Sequence, residues 1–277
     1  MLRSALVALD GSDYSKAAVA LGLDWAVRFG ARLTGLGILD EPSIHRPEPV
    51  PLGASAYKKE CDEALFARAH HRVLDLLADF RRQAEAAGVR CDVLEEVGAP
   101  ADRILREAQR ADVVLLGRET HFRFETHDRP DPTLSVVLRQ SPRPLVVVPH
   151  EPSQGRGVVV AYGGGREGAR TLQTFQLLGL AAGEEIEVVS VNRDGAEAEA
   201  IAHLAGDFLS AHDAPHRLHP IVSRHPAVDV LLEEVRQRRP RLLVMGAHGH
   251  HPMRDLFATS VTRAILRTCP VPVFIGA

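Results

Sequence analysis

The stretch MGAHGHHPMRDLFATS, residues 245–260, combines residue types that bind anions or metals. Gly246 and Gly249 let the backbone adopt positive φ, so that successive N–H groups can converge on phosphate oxygens. The predicted last helix opens with Thr259, Ser260 and Val261. Its free N–H groups and the positive end of its dipole favour a second phosphate contact. The stretch therefore predicts a phosphate cradle.

Three histidines in the same stretch allow a second interpretation, a zinc or nickel site built from His248, His250 and His251. Metal sites usually draw ligands from separate elements or from positions four apart on a helix, whereas adjacent side chains of a loop diverge. Contact of His248 with phosphate, and plain exposure of all three rings to solvent, remain open as alternatives. The pattern favours these two over a metal.

A second place for chemistry is LDGSDYS, where Asp10 directly follows an apolar run. A carboxylate there can accept hydrogen bonds from hydroxyl or amino groups of a ligand. Ser12 or Asp13 can cap the helix that follows. Asp-Gly-Ser is also ordinary turn chemistry, so a turn without any ligand is the alternative.

These residues belong to a unit that the chain contains twice. ADVVLLG followed by a loop and LSVVLRQSPRPLVVVP, within 111–149, matches PRLLVMG followed by a loop and SVTRAILRTCPVPVFIG, within 240–276. The opening parts of the two halves match as well, from SALVALDGS and from GVVVAYGGG. Internal similarity of this kind indicates two copies of one fold.

Each copy alternates strand and helix as βαβαβαβαβ, and nearly continuous apolar strands such as VVLL and LVVV indicate a parallel sheet covered on both faces. The predicted fold class is α/β, with two tandem doubly wound parallel five-stranded sheets. The predicted domains are residues 1–150 and 156–277, joined by a short polar linker that contains Pro and Gly. In such sheets, ligands bind beyond the carboxyl ends of the strands where the strand order reverses, after the first and fourth strands.

Local signals add detail to this scheme. Gly30 and Gly183 are predicted to close the first helix of each copy as left-handed caps. The four prolines within residues 41–59 predict a surface segment without regular structure, either inert or a flap over the crevice.

VALDGS after the first strand, MGAHGHH and TSVTRAILR after the fourth, and the closing CPVPVFI resemble the universal stress protein family in its tandem form. The resemblance covers nearly the whole chain and implies an adenine nucleotide alpha hydrolase-like fold. It also implies that the fifth strands of the two copies pair antiparallel, Leu145–Val148 with residues 271–275. Members that bind ATP carry Gly-x2-Gly-x9-Gly-Ser/Thr after the fourth strand and an Asp after the first.

The family pattern is incomplete in both copies. The second has Gly246, Gly249 and Ser260, but it has Thr259 at the third glycine and Tyr162 where the Asp belongs.

The first copy has the reverse defect. It keeps Asp10 and Gly117, but Thr120 replaces the second glycine, and Asp131-Pro132 falls where Gly-Ser would be. An aspartate at this position would repel a triphosphate. The second copy is therefore the better candidate for phosphate.

Composition excludes several classes of function. A net charge of −3 gives no electrostatic case for nucleic acid or an anionic membrane. No apolar run reaches the roughly 18 residues that span a bilayer, and no signal peptide is recognisable. Three cysteines without metal spacing suit a reducing compartment. The expected location is the cytoplasm.

The resemblance implies a stress-response protein that binds ATP or AMP in at least one domain, with Mg²⁺ accompanying ATP, and that acts through protein partners as yet unknown. The alternative is a tandem scaffold with degenerate sites. No nucleophile, base and orienting acid occur at recognisable spacing, so at most slow ATP hydrolysis is expected. A homodimer is a further expectation.

Overall fold

The computed structural model describes residues 1–47, 51, 55–123, 131–151, 155–246 and 260–276. The elements of the first repeat are β1 (Ser4–Leu9), α1 (Asp13–Phe29), β2 (Arg32–Leu39), α2 (Glu41–Ile44), α3 (Ser55–Ala86), β3 (Cys91–Val97), α4 (Pro100–Ala108), β4 (Val113–Gly117), α5 (Thr133–Gln140) and β5 (Leu145–Val148). Those of the second are β6 (Val158–Ala161), α6 (Gly165–Leu177), β7 (Ile186–Asn192), α7 (Gly195–Ser210), β8 (His216–Val222), α8 (Ala227–Arg238), β9 (Leu242–Met245), α9 (Ser260–Thr268) and β10 (Val273–Ile275).

The chain forms two compact units, Arg3–Gln140 and Met1–Leu2 with Ser141–Ala277. Strand β5 lies in the second unit because β10 pairs with it antiparallel, with Phe274 opposite Val146. This confirms the predicted pairing of the fifth strands. The domain limits at 1–150 and 156–277 remain a prediction.

The strands of each unit follow a doubly wound order, as predicted. In the first unit the order is β3-β2-β1-β4, and all neighbours are parallel. In the second it is β5-β10-β9-β6-β7-β8, parallel except at β5. The order reverses between β1 and β4 and again between β6 and β9, so a ligand crevice is expected at the carboxyl ends of these strands.

The core consists of the strands and the helix faces against them. Val113, Val114 and Leu115 of β4 are completely buried, as a strand covered on both faces requires. On β2, a Cβ at Gly35 would lie 2.6 Å from the ring of Phe80 in α3. The absence of a side chain at Gly35 therefore lets α3 lie directly on the sheet. No helix among the described residues is long and apolar enough to cross a bilayer.

The expectation of no regular structure within residues 41–59 is wrong at both ends, because α2 begins at Glu41 and α3 at Ser55. Pro42 stands in the first turn of α2, where its missing N–H costs nothing. The Asp40 side chain caps that turn by accepting from the Ser43 N–H at 3.3 Å. Residues 48–50 and 52–54 lie outside the described residues.

The predicted glycine caps have different outcomes. Gly30 closes α1 in the left-handed conformation, with φ of 64°, as predicted. Gly183 also has positive φ, 71°, but it does not cap α6, which already ends at Leu177. Gly179, with φ of 73°, turns the chain out of helical geometry before Gly183 is reached.

Candidate functional site

Asp10 follows β1 and joins the two loops that flank the crevice of the first repeat. Its side chain is 2% exposed. One carboxylate oxygen, Oδ1, accepts from the Ser12 N–H at 2.9 Å and from the Ser12 hydroxyl at 2.6 Å. The other, Oδ2, accepts from the His121 N–H at 2.7 Å, in the loop after β4. Both carboxylate oxygens of Asp10, which were predicted to accept from a ligand, therefore accept from N–H and O–H groups of the protein itself.

The loop after β1 is built by turn and capping chemistry. Gly11 has φ of 77°, a conformation that a side chain would strain. Ser12 is the N-cap of α1, and its hydroxyl accepts from the Ser15 N–H at 3.1 Å. The predicted capping role of Ser12 is confirmed. The turn interpretation of Asp-Gly-Ser therefore accounts for the local geometry.

The loop after β4 starts at Gly117, which packs against α1. A Cβ at Gly117 would lie 2.7 Å from the Cβ of Tyr14, so a glycine is needed for this close approach. Further along the loop, Phe122 is 1% exposed and anchors the loop in the core. The hydroxyl of the buried Thr120 has no hydrogen-bond partner among the described residues.

Asp131 lies in the loop after β4, two residues before the start of α5 at Thr133. Its Oδ2 accepts from the Phe122 N–H at 3.1 Å. Its Oδ1 accepts from the N–H and the hydroxyl of Thr133, at 2.9 Å and 2.5 Å. The residue that departs from the family pattern thus connects the first residue of α5, Thr133, to Phe122 in the loop after β4.

Asp40 and Arg123 belong to the same region and were missed at the sequence level. Asp40 follows β2, is 5% exposed, accepts from the Ser43 hydroxyl at 2.5 Å and lies 3.6 Å from Nε of Arg123. Burial raises the pKa of Asp40 above its ordinary value and Asp131 raises it further, while Ser43 and Arg123 act in the opposite direction. An acid at the end of the second strand, in GILD, was the available signal.

The raised pKa of Asp40 predicts a pH effect that Asp40→Asn removes. Because the folded state holds this proton more tightly than the unfolded chain, the contribution of Asp40 to the free energy of unfolding falls as pH rises from the ordinary carboxyl pKa through the raised value. Asn cannot titrate, so the stability of the variant relative to wild type should increase across that window. Urea unfolding at a series of acidic to neutral pH values measures this difference, and equal slopes for both proteins would contradict it.

Tyr162 occupies the position in the second repeat that corresponds to Asp10. Its backbone N–H donates to the carbonyl of Val189 at 2.9 Å, and its ring lies beside Gly168 in the first turn of α6. The side chain is 7% exposed, and burial raises the pKa of the phenol. An uncharged, buried phenol thus stands where the first repeat has a carboxylate.

Gly246 follows β9, at the point where the strand order of the second repeat reverses. A Cβ there would lie 3.0 Å from the backbone nitrogen of Gly168, so the glycine lets the end of β9 approach α6. Gly164 and Gly165, at the start of α6, have φ of 75° and 76°. Gly163 has open space around it. Glycines therefore lie after the carboxyl ends of β6 and β9, where the strand order predicts a crevice.

The rest of the predicted cradle is described only in part. His248, Gly249 and Thr259 lie outside the described residues, as do His250 and His251 of the alternative metal site. Ser260 begins α9, as predicted, and Val261 behind it is half-buried. Within the described ranges, no three His, Cys, Asp or Glu residues are arranged to hold a metal ion.

Comparison with known proteins decides the family. The model of the universal stress protein family matches residues 1–149 and again 155–275. This chain is a member of the universal stress protein family. A universal stress protein of Synechocystis sp. is 24% identical over 283 residues, which cover 98% of this chain and 99% of the relative. One of Thermus aquaticus is 36% identical over 123 residues, covering 42% of this chain and 77% of that protein.

Solved structures agree with this universal stress protein fold. A universal stress protein from Archaeoglobus fulgidus superimposes with a TM-score of 0.73 at 18% identity, covering 99% of this chain and 97% of the other. A protein of unknown function from Pseudomonas aeruginosa gives a TM-score of 0.60 at 14% identity, covering 99% and 92%. At such low identity the agreement concerns the fold alone. It confirms the tandem α/β architecture predicted from the repeats.

Proposed function

We propose that this universal stress protein binds an adenine nucleotide, ATP or AMP, in its second repeat and takes part in a cytoplasmic stress response through protein interactions. The observation that carries the proposal is Gly246 at the carboxyl end of β9, where the strand order reverses. Gly249 and Ser260 follow it at the family's spacing for phosphate. Mg²⁺ would accompany ATP.

The surroundings of Gly246 support a nucleotide on this side of the second repeat. Its close contact with the first turn of α6 brings two loops together at the crevice. The uncharged Tyr162 adds no repulsion toward phosphate, in contrast to Asp10 in the first repeat. The N-terminal end of α9, which begins at Ser260, carries the positive end of the helix dipole and would favour an anion.

The test is to denature the purified protein and identify any released small molecule by mass spectrometry. Calorimetric titration with ATP, AMP and zinc follows on protein from which bound molecules have been removed. Released adenine nucleotide, or heat with ATP or AMP, is the expected result. Heat with zinc alone would instead favour the metal interpretation of His248, His250 and His251.

A scaffold that acts without nucleotide is the second candidate. One observation favours it: in the first repeat, carboxylates of the protein contact the loop N–H groups of His121 and Phe122. No release and no heat with any of the three compounds would support the scaffold. Slow ATP hydrolysis at most is expected under either function, which a phosphate-release assay with Mg²⁺ measures.

A further inference from the structure

In the first repeat, two consecutive backbone N–H groups after β4 donate to two different carboxylates of the protein. The N–H of His121 donates to Asp10 at 2.7 Å, and the N–H of Phe122 donates to Asp131 at 3.1 Å. The two acceptors belong to loops on either side, after β1 and before α5. Through these bonds three loops of the crevice are joined.

A carboxylate can replace a phosphate at such donors. Both groups present negatively charged oxygens, and both accept charge-assisted hydrogen bonds from backbone N–H groups. Consecutive N–H groups at the carboxyl end of a parallel sheet are the donors that an anionic ligand would need. Here the anion is part of the chain.

Both carboxylates are fully engaged in these contacts. Each uses one oxygen for the loop after β4 and the other for its own turn, Asp10 for Ser12 and Asp131 for Thr133. Asp10 is almost completely buried. Moving either carboxylate aside would break bonds on both of its oxygens at once.

A third carboxylate makes the crevice still less suited to phosphate. Asp40 is buried nearby, and its charge interacts with that of Asp131. The guanidinium of Arg123 lies 3.6 Å from Asp40, so its charge is already used on that carboxylate. An incoming polyphosphate would meet repulsion from the acids.

We infer that the carboxylates of Asp10 and Asp131 take the place of an anionic ligand in the first repeat. They hold the loop after β1, the loop after β4 and the start of α5 together, and we call this arrangement the closure. This closure is independent of any nucleotide. The expected stoichiometry does rest on the proposed function. If the second repeat binds an adenine nucleotide and the first does not, the chain binds one equivalent. The surface that the first repeat offers to protein partners would then be the same with and without nucleotide, whereas the surface of the second repeat would change when nucleotide binds.

Amide exchange followed by NMR tests the closure without nucleotide. Slow exchange is expected for the N–H groups of His121 and Phe122 in the ligand-free wild type. Asp131→Asn has nearly the same volume but only one acceptor oxygen, so it cannot accept from Phe122 and Thr133 through separate oxygens, and exchange of the N–H group of one of these two residues should accelerate roughly tenfold or more. Asp10→Asn should have the same effect on the N–H group of Ser12 or of His121.

Asp92→Asn is the matched control, because Asp92 lies in an exposed pair with Arg32 on β2, 2.9 Å apart. It should leave exchange unchanged at the N–H groups of Ser12, His121, Phe122 and Thr133. Exchange of the two wild-type amides at the rate of an unstructured peptide would overturn the inference. So would unchanged exchange in both crevice variants, if their circular dichroism shows them to be folded.

Equilibrium dialysis with ATP and with AMP tests the stoichiometry. One equivalent per chain is expected, in wild type and in Asp131→Asn alike. Two equivalents in the wild type would overturn the inference. Zero equivalents would reject the proposed function, and the exchange result would then decide the closure alone.

Discussion

Gly249→Val is expected to abolish measurable binding of ATP and AMP, lowering affinity by about 100-fold or more. The family motif assigns Gly249 to the phosphate loop, and a branched side chain would both restrict φ and fill the space that the phosphate needs. Loss of two hydrogen bonds to a charged group, at about 1.5 kcal/mol or more each, corresponds to that factor. Calorimetry on wild type and variant measures it.

Thr120→Val is the matched control, since Thr120 stands at the corresponding position of the first repeat. Nucleotide affinity should not change. Because the Thr120 hydroxyl is buried without a partner among the described residues, valine should leave stability equal or raise it by up to about 1 kcal/mol. Lost affinity in Thr120→Val with full affinity in Gly249→Val would move the nucleotide to the first repeat.

Phe274→Ala is expected to lower the free energy of unfolding by about 3–5 kcal/mol. Phe274 is completely buried in β10 and meets Phe175 of α6 edge to face, with ring centroids 5.8 Å apart. Its backbone lies between Val146 of β5 and Val244 of β9, so the cavity would open beneath α6, on a strand that has neighbours on both sides. Chemical denaturation followed by circular dichroism gives the value.

Two further variants bracket this result. Phe274→Leu keeps most of the buried volume and should cost about 1–2 kcal/mol. Leu204→Ala in α7, where the side chain is 60% exposed, should stay within about 0.5 kcal/mol of wild type. If Phe274→Ala were no worse than Leu204→Ala, β10 would not belong to the core of its unit.

Most of the fold was predictable because its signals are local and occur twice. The apolar strands and Gly30 after α1 can each be recognised from a few neighbouring residues. Repetition of these signals in the second half then indicated the architecture. The prediction that Gly183 caps α6 was wrong because Gly179, which also has positive φ, lies nearer to the end of the helix at Leu177.

The candidate site was less predictable because its contacts join distant parts of the chain. Asp10 and His121 are 111 residues apart, and no local pattern announces their hydrogen bond. The sequence identified Asp131 as a departure from the family motif and predicted repulsion of phosphate. The hydrogen bonds of Asp131 with Phe122 and Thr133 depend on three-dimensional contacts that sequence spacing alone does not determine.

Because β5 pairs with β10, the two repeats cannot be separated at the linker without breaking this strand pairing. Residues 1–151 produced alone would contain Leu145–Val148 without β10, so the N–H and C=O groups of β5 that pair with β10 would lose their partners. Such an edge recruits other strands and leads to aggregation. A chain that begins at Ser141 would keep this ladder, because both strands lie in the part of one unit that spans Ser141–Ala277.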